Sequence, residues 1–281
     1  MNTNRVNFDR LDNSKIVITK SWHLGFIEGD GSFFVWDNLM PVFCIEITGV
    51  QLDVLLKIKE FLERSLGFDI YSLYKLKNSS FITVTTLKAR NNSKSSVALT
   101  IKNVRVLNNY LVPFLEDMTF LTKKGKDFKD FKIICEVVHN GAYRKDDIKN
   151  LILKLSYTMN IYRLSTNTAP TAGEAGLSLS KDEKYKLIFA TPTVEHLRDG
   201  RVRDILTRKG IHQQTSCVYE IRELDGEVLM ANTLSEAASI VGVYPDTLSK
   251  YLDVEMPGSV EDRVTLNNHK IRRVPVFNPF A

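Results

Sequence analysis

The chain has 281 residues, a net charge of +5 at pH 7, 43% hydrophobic residues and 25% charged residues. This composition is ordinary for a soluble globular protein, and the length suggests about two domains. The small basic excess suits a nucleic-acid partner without requiring one. No apolar run is long enough to span a membrane, so no membrane partner is expected. The cysteines, Cys44, Cys135 and Cys217, lie too far apart for a metal-binding motif and are expected to be buried thiols in a reducing compartment.

The first segment, Met1 to Lys20, is polar and contains Asp9 and Asp12 but no apolar stretch. It has the features of neither a secretory signal peptide nor a convincing transit peptide. We expect it to be partly ordered at best. If the protein acts in an organelle, this absence favours synthesis inside that organelle.

The most informative stretch runs from Trp22 to Phe33 and reads W-H-L-G-F-I-E-G-D-G-S-F. It predicts a short helix that ends near Asp30. Gly25 and Gly29 lie one turn apart on the same helical face, and each lowers helix stability by about 1 kcal/mol. Close contact with the backbone of another helix would compensate, because small residues one turn apart permit such an approach.

Asp30 ends this predicted helix, where the helix dipole disfavours a negative charge. A helix partner related by two-fold symmetry would bring a second acid beside it, and crowded acids require protons or cations. A divalent cation bound by oxygen ligands is the simplest solution. Asp30 is therefore a candidate metal ligand.

The order W-x-x-G-F-I-E-G-D-G-S-F resembles the signature helix of the LAGLIDADG homing endonucleases. The matching positions are Gly25, Glu28, Gly29, Asp30 and Gly31. His23 departs from the usual apolar opening residue, and an ordinary buried helix followed by a turn is the alternative. The resemblance implies a homodimer joined through Gly25 and Gly29. In that dimer Asp30 and the Gly29 carbonyl of each protomer would hold Mg²⁺ or another divalent cation.

The elements predicted after this helix follow the order of one LAGLIDADG repeat. They are strands at Ser32–Val35 and Val42–Ile47, a helix at Gln51–Leu66, strands at Ile70–Tyr74, Phe81–Leu87 and Val97–Ile101, and helices at Val104–Leu115 (interrupted by Pro113), Phe128–His139 and Lys145–Met159. The predicted fold is therefore α+β, with one LAGLIDADG αββαββα-type repeat in residues 1–165. A C-terminal β-hairpin and helix-turn-helix module completes it.

Basic residues supply the other candidates in this repeat. Lys124 best matches the family lysine that reaches the active site and is implied to be catalytic by electrostatic assistance. A solvated helix start is the alternative for Lys124 and for its neighbours Lys123 and Lys126. The second predicted hairpin is expected to bind nucleic acid through Lys75, Lys77, Lys88, Arg90 and Lys94.

No second copy of the signature follows, which in this family implies a homodimer. Residues 166–215 are predicted to be a linker, because residues 166–180 are rich in Thr, Ala, Gly and Ser. Within it, Val194–Leu197 and Arg201–Lys209 are predicted to be helical pieces.

Residues 216–281 predict a small module. A hairpin, Cys217–Ile221 and Val228–Ala231 with its turn at Asp225-Gly226, precedes two short helices. A capping box, Thr233-Leu234-Ser235-Glu236, opens the first helix, and Pro245 opens the second. This helix-turn-helix resembles the modular DNA-binding repeats appended to homing nucleases, with a small interaction module as the alternative. The residues expected to bind nucleic acid are Thr247, Ser249, Lys250, Arg272 and Arg273.

The resemblance implies a site-specific, divalent-metal-dependent endonuclease that hydrolyses phosphodiester bonds in double-stranded DNA. It also suggests an organelle-encoded intron product in the mitochondrial matrix. Two features count against catalysis. Gly49 stands where the family often has a glutamine, so Glu46 or Gln51 would have to take over the role of that side chain. The first predicted hairpin contains no Lys or Arg. The alternative is a catalytically inactive LAGLIDADG-derived protein that binds intron or ribosomal RNA, with aromatics such as Trp36 stacking on bases.

Overall fold

The computed structural model describes residues 17–36, 38–68, 81–89, 95–160, 179–197, 200–211, 217–224, 226–253 and 264–275. The helices are α1 Lys20–Asp30, α2 Leu52–Ser65, α3 Val104–Glu116, α4 Lys124–His139, α5 Asp146–Tyr157, α6 Lys181–Ile188, α7 Leu234–Val241 and α8 Pro245–Leu252. The strands are β1 Gly31–Val35, β2 Pro41–Thr48, β3 Ile82–Leu87, β4 Ser96–Ile101, β5 Val194–His196, β6 Val202–Asp204, β7 Gly210–Ile211, β8 Cys217–Arg222, β9 Val228–Ala231, β10 Val264–Leu266 and β11 His269–Pro275.

The N-terminal part of the fold is a four-stranded antiparallel sheet in the order β1-β2-β4-β3. Burial alternates along β2: Phe43, Ile45 and Ile47 are buried under the helices, whereas Glu46 and Thr48 are exposed. This is the pattern of a sheet with one face in the core. The predicted α+β fold and the α-β-β-α-β-β order are confirmed, and the predicted strand at Ile70–Tyr74 lies outside the described residues.

Helix α3 continues through Pro113 instead of being interrupted there. It comprises α-helical Val104–Val106, π-helical Leu107–Leu111 and α-helical Val112–Glu116. Proline has no N–H to donate, and its ring crowds the carbonyl of the preceding turn. The wider π-helical turn ends at Leu111, two residues before Pro113, where a helix must accommodate that ring.

The predicted helical pieces at Val194–Leu197 and Arg201–Lys209 are wrong. These residues contribute to a three-stranded antiparallel sheet in the order β5-β6-β7. Turns that contain Gly200 (φ +85°) and Arg208 (φ +57°) reverse the chain before a helix of useful length can form. Across the strands, the Arg203 guanidinium donates to the Glu195 carboxylate at 2.7 Å. The helix in this region is α6, which Ser180 and Glu183 open with a capping box.

The C-terminal part is a four-stranded antiparallel sheet, β10-β11-β8-β9, with α7 and α8 on one face. The predicted hairpin and both helices are present, and Gly242 ends α7 with a φ of +74°. The capping box differs in one bond. Thr233 Oγ1 accepts from the Glu236 N–H, but the Glu236 carboxylate accepts from the Asn232 N–H rather than from Thr233.

Two apolar clusters stabilise the fold. The larger cluster unites the N-terminal sheet with α1 to α6, and the smaller one lies between the C-terminal sheet and its two helices. The cysteines are free thiols, with Cys135 and Cys217 buried and Cys44 partly exposed. None of the helices in the described part of the chain is long and apolar enough to cross a membrane.

Candidate nucleic-acid and metal site

Helix α1 buries one face and leaves the glycine face open. The Thr19 side chain caps its N-terminus by accepting from the Trp22 N–H, and the Gly31 N–H donates to the Ile27 carbonyl at the other end. Ile27 is buried, whereas Gly25 and Gly29 are exposed. Within the described residues, a Cβ built at either glycine would have no atom within 4 Å beyond the backbone of α1 itself. No described part of the single chain therefore packs on this glycine face.

His23 occupies the buried face of α1 as a neutral aromatic ring. It is completely buried, and its ring centroid lies 5.4 Å from that of Phe61 and 6.2 Å from that of Phe114. Neither ring nitrogen has a hydrogen-bond partner among the residues that the structure describes. Burial lowers the pKa of His23 to about 4, so the ring is uncharged at neutral pH. A neutral His23 can thus occupy the buried position where the signature usually has an apolar residue.

The two candidate catalytic residues come together at the C-terminal end of α1. Asp30 is exposed, and the Lys124 ammonium donates to the carbonyl of Gly31, the next residue. Lys124 is only 6% exposed, so it is not the solvated helix start that was the alternative. Burial lowers the pKa of Lys124, while the charges of Asp127, Asp30 and Glu28 act in the opposite direction. The lysine is thus held among three carboxylates beneath the end of α1.

Glu28 is a site residue whose role the sequence did not reveal. One of its carboxylate oxygens accepts from the N–H groups of Leu121 and Thr122, both at 2.7 Å. These residues lie just before α4, which begins with Lys124. Glu28 therefore fixes the loop that delivers Lys124 to α1. Its place in the signature was the only sequence signal, and a loop almost a hundred residues away could not be inferred from it.

Asn160 is a second residue that sequence reasoning missed. Its side-chain amide donates to the Phe33 carbonyl at 2.6 Å, and its backbone N–H donates to the buried Asp127 carboxylate at 3.3 Å. Asn160 has a left-handed backbone (φ +54°), a conformation that asparagine tolerates better than most residues. It thereby connects β1, which follows α1, to the first turn of α4.

The outer face of the N-terminal sheet carries few charges in its described part. The Glu46 carboxylate accepts from Ser96 Oγ at 2.6 Å, and Lys102 lies 4.3 Å from the centre of the Trp36 ring. Gly49 fits closely beneath Ser95: its N–H donates to the Ser95 carbonyl, and an added Cβ would lie 2.8 Å from Ser95 Oγ and 3.1 Å from that carbonyl. A glutamine at position 49 would therefore displace this loop.

Only one of the basic residues predicted on the second hairpin is described. Lys88 is exposed just beyond β3. Lys75, Lys77, Arg90 and Lys94 lie outside the described residues. In the apolar first hairpin, Phe33 is fully buried against Phe43, Phe128 and Phe131, so core packing explains that aromatic.

The C-terminal candidates fall into two groups. On α8, Lys250 is exposed, Thr247 is partly exposed, and Ser249 Oγ donates to the Asp253 carboxylate. Arg272 and Arg273 are neighbours on β11, so their side chains lie on opposite faces of the C-terminal sheet, and both form ion pairs within the protein. Arg272 pairs with the buried Glu220 at 2.8 Å, and Arg273 donates to the Leu252 carbonyl and to Asp253. Their predicted role in clamping a nucleic-acid backbone therefore has no support from their positions.

A metal site would need a second protomer. Within the described ranges, no group of three or more His, Cys, Asp or Glu side chains could hold a metal ion. Asp30 and the Gly29 carbonyl offer oxygen ligands at an exposed helix end, which is the ligand type that Mg²⁺ prefers. The Asp30 carboxylate and the Gly29 carbonyl could bind a divalent cation together with the same two groups of a partner chain.

Several solved structures resemble this chain, all at low identity. The homing endonuclease I-TnaI is 22% identical over 52% of this chain and 90% of its own, with a TM-score of 0.39. The archaeal intron-encoded homing endonuclease I-Vdi141I, complexed with DNA, is 21% identical over 60% and 93%, with a TM-score of 0.39. I-LtrWI, a LAGLIDADG homing endonuclease bound to target DNA, is 20% identical over 56% and 48%, with a TM-score of 0.41. This chain thus spans about half the length of I-LtrWI.

No curated protein matches the chain. The family model described as LAGLIDADG endonuclease matches residues 23–135. That segment begins in α1 and includes the N-terminal sheet, Glu28, Asp30 and Lys124. The chain is thus similar to LAGLIDADG endonucleases over this segment, which is less than half of its length.

Proposed function

We propose that the protein is a site-specific, divalent-metal-dependent endonuclease that cuts double-stranded DNA as a homodimer. One observation carries the proposal: α1 presents an open glycine face that leads to the exposed Asp30, with Lys124 buried beneath it. The family model supports a nuclease ancestry for the same residues. DNA-bound relatives such as I-LtrWI favour duplex DNA as the ligand.

In the proposed dimer, two α1 helices meet along Gly25 and Gly29, and each contributes its Asp30. The Asp30 carboxylates and the Gly29 carbonyls would hold Mg²⁺. The bound metal supplies Lewis-acid stabilisation of phosphate charge and a more acidic water. Lys124 is positioned to offset negative charge that develops at the end of α1. Glu28 contributes by holding the loop before Lys124.

DNA binding is proposed to extend beyond this centre. Lys88, together with Lys75, Lys77, Arg90 and Lys94, would neutralise phosphates, which gives affinity but no sequence information. The exposed side of α8, with Thr247, Ser249 and Lys250, would enter a major groove. The mitochondrial matrix, with synthesis inside the organelle, is the compartment proposed from the family resemblance.

Two features that count against cleavage motivate a second candidate, a LAGLIDADG-derived protein that binds intron or ribosomal RNA without cutting. Gly49 fills a position that has no room for a glutamine side chain. Lys102 on the described outer face of the N-terminal sheet is already engaged with Trp36. Both features weaken a DNA-cutting site, and a partly exposed Trp36 suits stacking on unpaired bases.

The test is cleavage, with Mg²⁺, of a plasmid library that carries fragments of the host genome. Wild-type protein should cut a small set of sites, and Asp30→Asn should abolish cutting while keeping DNA affinity. Asp117→Asn is the matched control, because Asp117 is an exposed aspartate at the end of α3. Cutting by Asp30→Asn would contradict the assigned site. Wild-type protein that cuts nothing but binds structured RNA tightly would favour the second candidate.

A further inference from the structure

The segment predicted to be a linker is attached along much of its length to the N-terminal part. We call its described residues, 179–197 and 200–211, the bridge; they include α6 and the sheet β5-β6-β7. Leu179 and Leu187 are buried in the larger apolar cluster. Ion pairs join Lys184 to Asp130 of α4 at 3.1 Å, Glu183 to Lys154 of α5 at 2.8 Å, and Lys186 to Asp147 of α5 at 2.7 Å. Helix α6 is therefore fixed by apolar contacts and by charges on two helices.

The start of β5 is fixed to the turn after α4. The N–H groups of Thr193 and Val194 both donate to the Asn140 carbonyl, at 3.0 and 3.3 Å, and Thr193 Oγ1 donates to the Gly141 carbonyl at 2.8 Å. A Cβ on Gly141 would lie 2.6 Å from Val194 and 2.7 Å from Thr193. Close approach at this junction therefore requires glycine.

Two stacked imidazoles complete this junction. The rings of His139 and His196 are parallel within 6°, with centroids 4.0 Å apart. A ring nitrogen of His196 lies 3.0 Å from the His139 carbonyl oxygen, within hydrogen-bond distance. Strand β5 is thus bound to the end of α4 by backbone bonds and by a side-chain stack.

Directly before β6, the bridge also contacts the helix-turn-helix. The Arg201 guanidinium donates to the Asp253 carboxylate at 2.8 Å, and Asp253 directly follows α8. The same carboxylate accepts from Arg273 of β11 at 2.7 Å and from Ser249 Oγ of α8 at 3.0 Å. Asp253 thereby joins the bridge, the C-terminal sheet and the second helix of the module.

The C-terminal sheet is also bound on both faces. Tyr219 and Ile221 face α7 and α8 in the smaller cluster. From the opposite face, Val218 and Val274 are buried in the larger cluster, and Met230 packs against it. The module therefore shares a core with the N-terminal part, which a flexibly tethered domain does not do.

We propose that the bridge makes the helix-turn-helix a rigid extension of the signature-helix part, so that the two parts contact one duplex at a single fixed spacing. Asp253 is the positioning residue that sets the orientation of α8. The fixed spacing between the two DNA contacts rests on the proposed DNA-binding function, whereas the rigid attachment of the module does not. A flexible linker would instead accept many spacings between the two contacts.

The attachment is tested without DNA by ¹⁵N relaxation of the full-length protein. Amides of β8 to β11, α7 and α8 should report the same rotational correlation time as those of α1 to α5. A correlation time for the module that is shorter by about twofold or more would overturn the attachment, because a tethered domain of its size tumbles faster. Arg201→Ala should increase local motion in α8. Arg208→Ala should not, since Arg208 pairs only with Glu195 in the described contacts, within the bridge.

The spacing is tested by selection from random-sequence duplexes about 40 bp long, which can cover contacts from both parts. Wild-type protein and Arg208→Ala should enrich a central block flanked on each side by a module block at one spacing, because the proposed dimer carries two modules. Arg201→Ala should weaken the preference for that spacing without abolishing it, because Arg273 and the shared core still hold the module, and Arg201→Lys should restore the preference. Blocks at variable spacing for wild type would overturn the proposal. If no duplex is enriched, the proposed function and the fixed spacing are both refuted. The relaxation experiment still tests whether the module is rigidly attached to the N-terminal part.

Discussion

At the scale of single residues, the region around Lys124 depends on an acid that has no predicted chemical role. Glu28 accepts two backbone N–H groups from the loop before α4, and a carboxylate is a stronger acceptor than a neutral group. The position of Lys124 therefore depends on a residue in the helix that it approaches.

Glu28→Ala should lower the free energy of unfolding by about 1–2 kcal/mol, because two N–H groups lose a charged acceptor at an exposed site. It should also reduce any cleavage activity, since the loop before Lys124 is released. Urea denaturation and the plasmid cleavage assay measure the two effects. The control is Glu136→Ala, an exposed glutamate on α4. Equal effects of the two variants would refute a special role for Glu28.

His23 should make the stability of the fold depend on pH. Its folded pKa is about 4 against an ordinary value of 6.5, so the unfolded chain gains a proton first as the pH falls. The neutral ring therefore contributes its full stability above about pH 6.5, and that contribution falls by roughly 2–3 kcal/mol by pH 4.5. His23→Leu should remove this part of the pH dependence in urea denaturation at pH 7 and pH 4.5. An unchanged difference between the two pH values would show that His23 does not titrate in this way.

At the scale of elements, the sequence predicted those helices, strands and caps that are specified by residues close together in the chain. The amphipathic spacing of α2, the alternation along β2 and the Thr233 cap before α7 each specify structure within a few residues. The helices predicted in place of β5 and β6 were wrong. Each of these strands has three residues, and strands this short are stabilised by tertiary contacts rather than by their own sequence. The turn at Gly141 and the stack on His139 hold β5, and neither leaves a local pattern.

The junction between α4 and β5 gives a prediction about glycine. Gly141 and Gly226 both have positive φ, at +73° and +94°, but only Gly141 is crowded by neighbouring side chains. Gly226→Ala should cost about 1 kcal/mol from backbone strain alone. Gly141→Ala should cost about 2–4 kcal/mol, because overpacking against Val194 is added to the same strain. Urea denaturation of the pair separates the two contributions, and similar losses would argue against tight packing of β5.

At the scale of the whole molecule, the family segment accounts for the signature helix and its sheet, and the rest of the chain determines how the two parts are joined. The sequence indicated both ends of the molecule, because the signature and the helix-turn-helix each have local patterns. It did not indicate the attachment between them. The ion pairs of α6 and the bond from Arg201 to Asp253 join residues that are distant in sequence, and no local pattern marks any of these charges.

The last prediction concerns dimer formation. A large side chain on the open face of α1 should stabilise the monomer but prevent the dimer. A Cβ at Gly29 would meet no atom within 4 Å in the described part of the chain, and Gly29→Leu should stabilise the monomer by up to about 1 kcal/mol because it replaces a helical glycine. The same side chain would block close approach of a second α1, so sedimentation should show loss of the dimer. Gly210→Leu is the control, since Gly210 is also unobstructed but lies on β7. A Gly29→Leu protein that still dimerises as wild type would place the interface away from α1, and with it the pairing of Asp30 that the proposed nuclease requires.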